Sequence, residues 1–222
     1  FNMQHWQFVV VREEARKQAL RKLSYGQAQV EQCAAAVLVC GRLDAHLDAE
    51  RIYADGGAKH PAVVDGHLET LRALIAKGTG FGCMHYGVEV VADQAGKEFQ
   101  EWLGGHYENA FSCNPIWDAN YTKLPEHAIT RGVQPFTTKD EWYFNMRFRP
   151  IFKDGIEPAV DKGATFAPIL TATPSDATRD GPYVYPKGPY PHIQAEKGQP
   201  ETMMWAVERA DGGRGFGFTG GH

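Results

Sequence analysis

The residue best placed to do chemistry is His85, in the segment FGCMHYG (81–87). A short apolar run precedes it and Tyr86-Gly87 follows as a sharp turn, which predicts a histidine at the carboxyl end of a buried strand. Open α/β sheets bind ligands at that edge. A catalytic imidazole is one interpretation. The other is a histidine that hydrogen-bonds the neighbouring backbone and supports the turn.

Two consecutive carboxylates, Asp140 and Glu141, open the aromatic segment EWYFNMRF (141–148), which we expect to be a strand. A carboxylate among aromatic rings can have a raised pKa and act as a general base. The alternative is that Glu141 pairs with an arginine, Arg131 or Arg147, and only orders the strand edge. Both interpretations stay open at the level of sequence.

Four more histidines lie in motifs with a neighbouring glycine or proline, which predicts loops near strand ends. With the acidic pair they could ligate zinc or a similar divalent ion, because neutral imidazole and carboxylate suit such ions. No HxxxH or HxH spacing supports a metal, so hydrogen bonds to a sugar, or loop capping, are the simpler interpretation. We place His222 in the catalytic set, and we assign ligand binding to His60, His106 and His127.

Aromatic side chains could present flat faces to pyranose rings, while histidine and aspartate meet the sugar hydroxyls. The aromatic residues expected to bind such a ligand are Tyr86, Trp142 and Trp205. Core packing is the alternative, and it must hold for some of them. The stretch 174–200 is rich in proline, glycine and tyrosine, and it is too long for a simple connection, which predicts a lid or a mobile loop.

Strands and helices alternate along the chain, which predicts an α/β fold with a mostly parallel sheet flanked by helices. Strands are expected at 6–11, 34–40, 81–86, 141–148, 165–173, 202–209 and 214–219, and helices at 13–23, 43–52, 61–77 and 97–103.

The composition excludes some classes of partner. The net charge is −4, so no basic face for nucleic acid is expected. No apolar run approaches the roughly 20 residues that span a bilayer, which argues against a membrane partner. The four cysteines form no CxxC pair, as in a reduced cytoplasmic protein. Because the chain begins at Phe1, the sequence leaves open whether a leader precedes it. The sequence also leaves the oligomeric state open.

Seven ordered motifs between residues 52 and 222 resemble the trehalose-utilisation (ThuA-like) family. They are YADGGAKHP (53–61), GTGFGCMHYG (78–87), FQEWLGGHYE (99–108), NPIWDA (114–119), HAITRGVQPF (127–136), DEWYFNMRF (140–148) and GRGFGFTGGH (213–222). The resemblance implies a flavodoxin-like or glutamine amidotransferase-like fold and a small carbohydrate as ligand. Amidotransferases carry a nucleophilic cysteine at the elbow where this chain has His85, and Cys83 lies two residues earlier. Amidotransferase chemistry is therefore not implied.

Residues 1–50 resemble a fragment of the FMN-dependent nitroreductase family, through FNMQHWQFVVV and GQAQVEQCAAAVLVCG. In that family an Asn-x-Gln-x-Trp segment helps to hold the flavin. Asn2, Gln4 and Trp6 match it, so Asn2 and Gln4 are the candidate FMN contacts. The family's Arg-Ser-Arg phosphate clamp, glycine loop and distal arginine have no counterpart in this chain, which disfavours FMN binding.

Together the resemblances predict a nitroreductase-like fragment over 1–51 and a ThuA-like domain over 52–222, an apparent chimera with both parts truncated. The two N-terminal strands could replace the first strands of the ThuA-like sheet. The predicted function is carbohydrate-related, in the use of trehalose or another disaccharide, with a His/Glu-lined site at the carboxyl edge of the sheet. The alternatives are a nitroreductase-type oxidoreductase fragment and a sugar-binding module without turnover, so enzymatic activity is left open.

Overall fold

The computed structural model describes residues 6–23, 28–32, 36–41 and 61–221. The chain divides into two compact units, residues 1–65 and 66–222. The predicted boundary near residue 51 stays a prediction, because residues 42–60, including the expected helix 43–52, lie outside the described ranges. Within those ranges, no helix is both long and apolar enough to cross a lipid bilayer.

The first unit contains two strands and two helices in its described part. They are β1 (Trp6–Val11), α1 (Glu14–Leu23), α2 (Ala28–Gln32) and β2 (Ala36–Gly41). Strands β1 and β2 are rich in valine, which favours extended backbone. They pair antiparallel, with Trp6 opposite Gly41 and Val11 opposite Ala36. The expectation of parallel neighbours is therefore wrong for these two strands.

The second unit carries most of the secondary structure, and α3 (Pro61–Ile75) crosses the division between the units. The other elements are β3 (Phe81–Met84), α4 (Lys97–Trp102), β4 (Gly105–His106), β5 (Ile116–Tyr121), β6 (Phe136–Glu141), β7 (Arg147–Phe148), β8 (Ala159–Asp161), β9 (Ala164–Ala172), α5 (Asp176–Asp180), α6 (Pro191–Ala195), β10 (Glu201–Glu208) and β11 (Arg214–Phe218).

In the described part of this unit, a five-stranded sheet has the order β3-β11-β10-β9-β8. Strands β3 and β11 are parallel, and the other neighbours are antiparallel. The mixed α/β class agrees with the prediction, but the prediction of a mostly parallel sheet is wrong. The sheet is mostly antiparallel because tight hairpins connect its neighbouring strands. Lys162 and Gly163, with φ of 49° and 86°, join β8 to β9, and the turn 209–213 joins β10 to β11.

The prediction of a strand over 141–148 is also wrong. Strand β6 instead ends at Glu141, which pairs with Ile116 of β5. Asn145 then adopts a φ of 55°, which no strand residue has, and its side chain donates a hydrogen bond to the carbonyl of Phe111. The backbone after Glu141 is therefore irregular, and it carries aromatic side chains into the interior.

The stretch 174–200 folds onto the core. It contains α5 and α6, and its buried residues Tyr183 and Ile193 belong to one apolar cluster with Phe144, Ile169 and Met203. Its Arg179 is fully buried. This packing favours a fixed segment over a mobile loop.

Candidate functional site

Two parallel strands bring His85 into a defined position. Met84, the last residue of β3, lies opposite Phe218, the last residue of β11, so the residues that follow both strands meet. His85 Nδ1 is 3.0 Å from the backbone oxygen of Thr219. Its φ is 48°, in the left-handed region that few non-glycine residues adopt.

Tyr143 is the second member of the site. Its hydroxyl oxygen is 3.1 Å from His85 Nε2, and the two ring centroids are 4.6 Å apart. Burial raises the pKa of the Tyr143 hydroxyl, and the carboxylates of Glu141 and Glu89 raise it further. The hydroxyl is therefore neutral at pH 7 and can donate a hydrogen bond. The sequence analysis gave no sign that Tyr143 would contact His85.

Asp140 and Glu141 lie at the same edge. Asp140 accepts hydrogen bonds from the backbone N–H groups of Gly221 and Glu141, both at 2.8 Å. The ideal Cβ position of Gly221 is 4.0 Å from the Cβ of His85, so the acidic pair and the imidazole flank the same end of β11. Of the two arginines considered as partners of Glu141, Arg147 forms a bidentate pair with Glu108.

Asn114 connects Glu141 to the segment 174–200. Its Nδ2 donates to Glu141 Oε1 at 2.9 Å, and both groups are buried. Its Oδ1 accepts the backbone N–H of Tyr185 at 3.2 Å, and its main-chain oxygen accepts that of Val184. The sequence offered the motif NPIWDA but no signal for this role.

The two tryptophans expected to bind ligand are core residues. Trp142 is buried, donates from Nε1 to the carbonyl of Thr138, and packs edge-on against Phe218. Trp205 is fully buried and donates from Nε1 to the carbonyl of Leu103 at 2.6 Å. This favours the core alternative for both. Tyr86, 52% exposed next to His85, is the expected aromatic contact that remains accessible.

His127 lies at the other end of the same strands. It caps the 3-10 turn Ala128–Thr130 by accepting the backbone N–H of Ile129. It also lines a groove of about 490 Å³ with Gly80 and Gly215, which lie at the amino ends of β3 and β11. The structure therefore does not bring His127 to His85.

Four predicted contacts lie outside the described residues: Asn2, Gln4, His60 and His222. Within the residues that the structure describes, no group of three or more His, Cys, Asp or Glu side chains has an arrangement that could hold a metal ion. A zinc site that includes His60 or His222 stays a prediction.

Cys83 lies inside β3, two residues before the elbow. Burial raises the pKa of its thiol to about 12, so it is protonated at neutral pH. The thiolate is the nucleophilic form of cysteine, and Cys83 is therefore not an activated nucleophile.

His106 is sealed in the interior, with 2% of its surface exposed, which separates it from any ligand. Both ring nitrogens lack a hydrogen-bond partner among the described residues, although Nε2 is 3.9 Å from the Glu108 carboxylate. Burial lowers the pKa of His106 from 6.5 to about 4, against the opposing charge of Glu108. The imidazole is therefore neutral in the folded protein.

This burial predicts an acid-dependent loss of stability. Below pH 6.5 the unfolded chain protonates His106 while the folded chain resists, so the free energy of unfolding falls until about pH 4. The full loss from this group is about 3 kcal/mol. His106→Gln should flatten the profile from urea unfolding at pH 4 to 8, whereas His192→Gln, at an exposed histidine, should not. If the free energy of unfolding depended on pH equally in His106→Gln and wild type, the assignment of this pH dependence to His106 would be wrong.

Comparisons with known proteins support the nitroreductase-like N-terminus. No protein-family model matches the chain, and no solved structure matches it. A protein assigned as an NAD(P)H nitroreductase, YodC of Bacillus subtilis, is 34% identical over 55 residues, which are 25% of this chain and 27% of that protein. An NADH dehydrogenase of Thermus thermophilus is 43% identical over 51 residues, 22% of this chain and 25% of that protein.

The chain thus spans about a quarter of the length of the curated relatives that it matches. The similarity supports a nitroreductase-related fragment and does not extend to their whole fold. Neither relative is a trehalose-utilisation protein, so that resemblance remains a prediction from motifs. The described second unit is a mixed α/β structure with a histidine-tyrosine pair at the end of two parallel strands.

Proposed function

We propose that the second unit is a carbohydrate-related domain that binds a small sugar at the His85 edge of its sheet. The observation that supports this most is the contact of His85 Nε2 with the Tyr143 hydroxyl at 3.1 Å, at an edge that also carries Asp140 and Glu141. Imidazole and carboxylate are side chains that general acid–base catalysis uses, and the neutral phenol can donate a hydrogen bond to the imidazole. The trehalose-utilisation motifs suggest a disaccharide as the ligand.

The proposed roles follow from the chemistry of each group. His85 takes up or releases a proton, while Asp140 and Glu141 accept hydrogen bonds from ligand hydroxyls or act as a base. Tyr86, exposed beside His85, offers a ring face to a pyranose. His222 follows Gly221 in the chain, whose N–H is bonded to Asp140, and we keep it in the catalytic set. His60 remains a proposed ligand contact.

Calorimetric titration of the full chain with trehalose, and with a keto-oxidised disaccharide, tests this proposal. His85→Gln and Glu141→Gln should each weaken binding by about 10- to 100-fold, the usual effect of removing a hydrogen bond to a charged or polar partner. His127→Gln, which lies at the other end of the strands, is the matched control and should leave binding unchanged. Metal analysis of the same sample examines the zinc prediction.

Product analysis separates the two versions of the proposal. An enzyme converts the bound sugar, and His85→Gln should then slow turnover by about 100-fold or more. A binding module releases the sugar unchanged, and the variants alter affinity alone. If wild type binds neither sugar, the carbohydrate function is wrong.

A second candidate is a flavin-dependent oxidoreductase fragment, which the similarity to the nitroreductase and the NADH dehydrogenase favours. Asn2 and Gln4 are the proposed FMN contacts. In a separate fluorescence titration with FMN, wild type should quench the flavin fluorescence, and a variant with both residues changed to alanine should quench it less. A colourless protein that leaves FMN fluorescence unchanged would contradict this candidate.

A further inference from the structure

Two contacts of the His85 ring nitrogens indicate where its proton lies. A backbone carbonyl oxygen can only accept a hydrogen bond, so Nδ1, at 3.0 Å from the Thr219 oxygen, carries the hydrogen. In the neutral ring Nε2 then has a lone pair, and it accepts the Tyr143 O–H at 3.1 Å. The hydrogen bonds at the two ring nitrogens favour one tautomer, and these two contacts both favour the Nδ1–H form.

We infer that Tyr143 is a positioning residue for His85. The Thr219 carbonyl holds the imidazole as the Nδ1–H tautomer, and the Tyr143 hydroxyl donates to Nε2, the atom that takes up a proton. As a statement about catalysis, this inference rests on the proposed function. As a statement about the tautomer, it concerns the protein without ligand.

The surroundings hold both partners in place. The Thr219 side chain is fully buried, and the N–H of Gly221 is tied to Asp140, so the chain that presents the Thr219 carbonyl is fixed on both sides. Tyr143 is buried and packs against Tyr107, with 5.1 Å between the ring centroids. The Tyr143 hydroxyl therefore has little freedom to leave Nε2.

Proton uptake at Nε2 has a consequence for Tyr143. Once Nε2 carries a hydrogen, it donates to the phenol oxygen, and the Tyr143 O–H must turn to another acceptor. Direct uptake from a ligand requires the ligand hydroxyl to replace the Tyr143 hydroxyl at Nε2. One O–H bond in the ligand then breaks, one N–H bond forms on His85, and the ligand oxygen keeps the electron pair.

The inference also bears on metal binding. A metal ion needs the lone pair of an imidazole nitrogen. At Nδ1 it would have to replace the hydrogen bonded to Thr219, and at Nε2 it would have to displace the Tyr143 hydroxyl. Ligation of zinc by His85 would therefore cost one of these two hydrogen bonds.

Long-range ¹H–¹⁵N correlation spectra of the full-length ¹⁵N-labelled chain at pH 8 test the inference without any ligand. His85→Gln identifies the His85 signals by their loss. We expect a protonated Nδ1 and an unprotonated Nε2 in wild type. In Tyr143→Phe, Nδ1 should stay protonated, while the Nε2 resonance moves toward that of a nitrogen without a hydrogen-bond donor.

Thr219→Val is the matched control, because it keeps the backbone carbonyl and removes a hydroxyl that has no partner within the described residues. Its His85 signals should match those of wild type. A wild-type spectrum with the hydrogen on Nε2 would overturn the inference, as would a Tyr143→Phe spectrum with an unchanged Nε2 resonance. The wild-type spectrum decides the tautomer even where Tyr143→Phe does not fold. A lack of sugar binding alongside the expected spectrum would instead count against the proposed function.

Discussion

Replacement of Arg179 by methionine is expected to lower the free energy of unfolding by about 3–5 kcal/mol, the usual cost of leaving a buried charge without its partner. Arg179 is 0% exposed, and its Nη2 lies 2.8 Å from Glu201 Oε1 and donates to the carbonyl of Gln199. Glu201 is buried as well. Methionine fills much of the volume but supplies neither the charge nor the hydrogen bonds.

The loss in Arg179→Met should depend on pH. Burial raises the pKa of Glu201, and Arg179 opposes that shift. Without the arginine, the carboxyl in the folded protein has a pKa above its unfolded value, so the folded state binds the proton more readily. The variant should therefore regain stability as the pH falls through that folded pKa, and lose it again as the pH rises.

Urea unfolding at pH 5 and pH 8 measures both effects. The double variant Arg179→Met/Glu201→Met removes both charges, and it should be more stable than Arg179→Met alone at pH 8. A single variant within about 1 kcal/mol of wild type at pH 8 would show that the pair contributes little. Equal urea midpoints for the single and double variants at pH 8 would lead to the same conclusion, because the unpaired Glu201 carboxylate would then cost little.

This ion pair matters to the candidate site through the segment that it fixes. Arg179 belongs to α5, and the chain that follows carries Tyr185, whose N–H bonds to Asn114. Asn114 in turn holds the carboxylate of Glu141. If α5 loosens, the hydrogen bond from Tyr185 to Asn114 is lost, and Asn114 no longer holds Glu141 firmly. Arg179→Met should therefore also lower the affinity for any ligand that the Glu141 carboxylate binds.

Local patterns predicted the elements better than their arrangement. The runs at 6–11 and 214–218 are strands within one residue of the prediction, because β-branched and aromatic residues favour extended backbone. The sheet direction depended on turns that we did not read as hairpins, at 161–164 and 209–213. Pairing across the sheet is set by such connections and by packing, and periodicity does not report either.

The site was partly visible in the sequence. His85, Asp140 and Glu141 were expected at one sheet edge, and the structure brings Asp140 and the end of β11 together beside His85. Tyr143 and Asn114 were missed as partners because they lie in irregular backbone, where spacing does not show which side chains meet.

The opposite error was made for His106 and Trp205. We took glycine beside His106 as a sign of a loop, and the ring of Trp205 as a face for a sugar. Instead, Gly105 allows a close approach, since a Cβ there would lie 2.6 Å from the Phe148 ring. A Cβ on Gly217 would likewise overlap the ring of Trp205. These glycines make room for buried rings in the core.

The second large effect is expected at Gly215, in β11. A Cβ at this position would overlap the backbone oxygen of Trp102, which cannot move away as a flexible side chain could. Gly215 also pairs with Phe81 at the start of β3. Gly215→Ala should therefore destabilise the protein by about 3 kcal/mol or more, at the upper end of the cost of overpacking, as measured by urea unfolding.

Gly80→Ala is the matched control, because its added Cβ would lie 3.6 Å from the carbonyl of Arg214, an ordinary contact. Its stability should stay within about 1 kcal/mol of wild type. Since β11 leads directly to Thr219, a shift of this strand should also lengthen the contact from Thr219 to His85 Nδ1. Gly215→Ala should then change the His85 imidazole signals, whereas Gly80→Ala should preserve them. Equal stability of the two variants would mean that β11 can move away from Trp102 at little cost, and that the position of His85 does not depend on this strand.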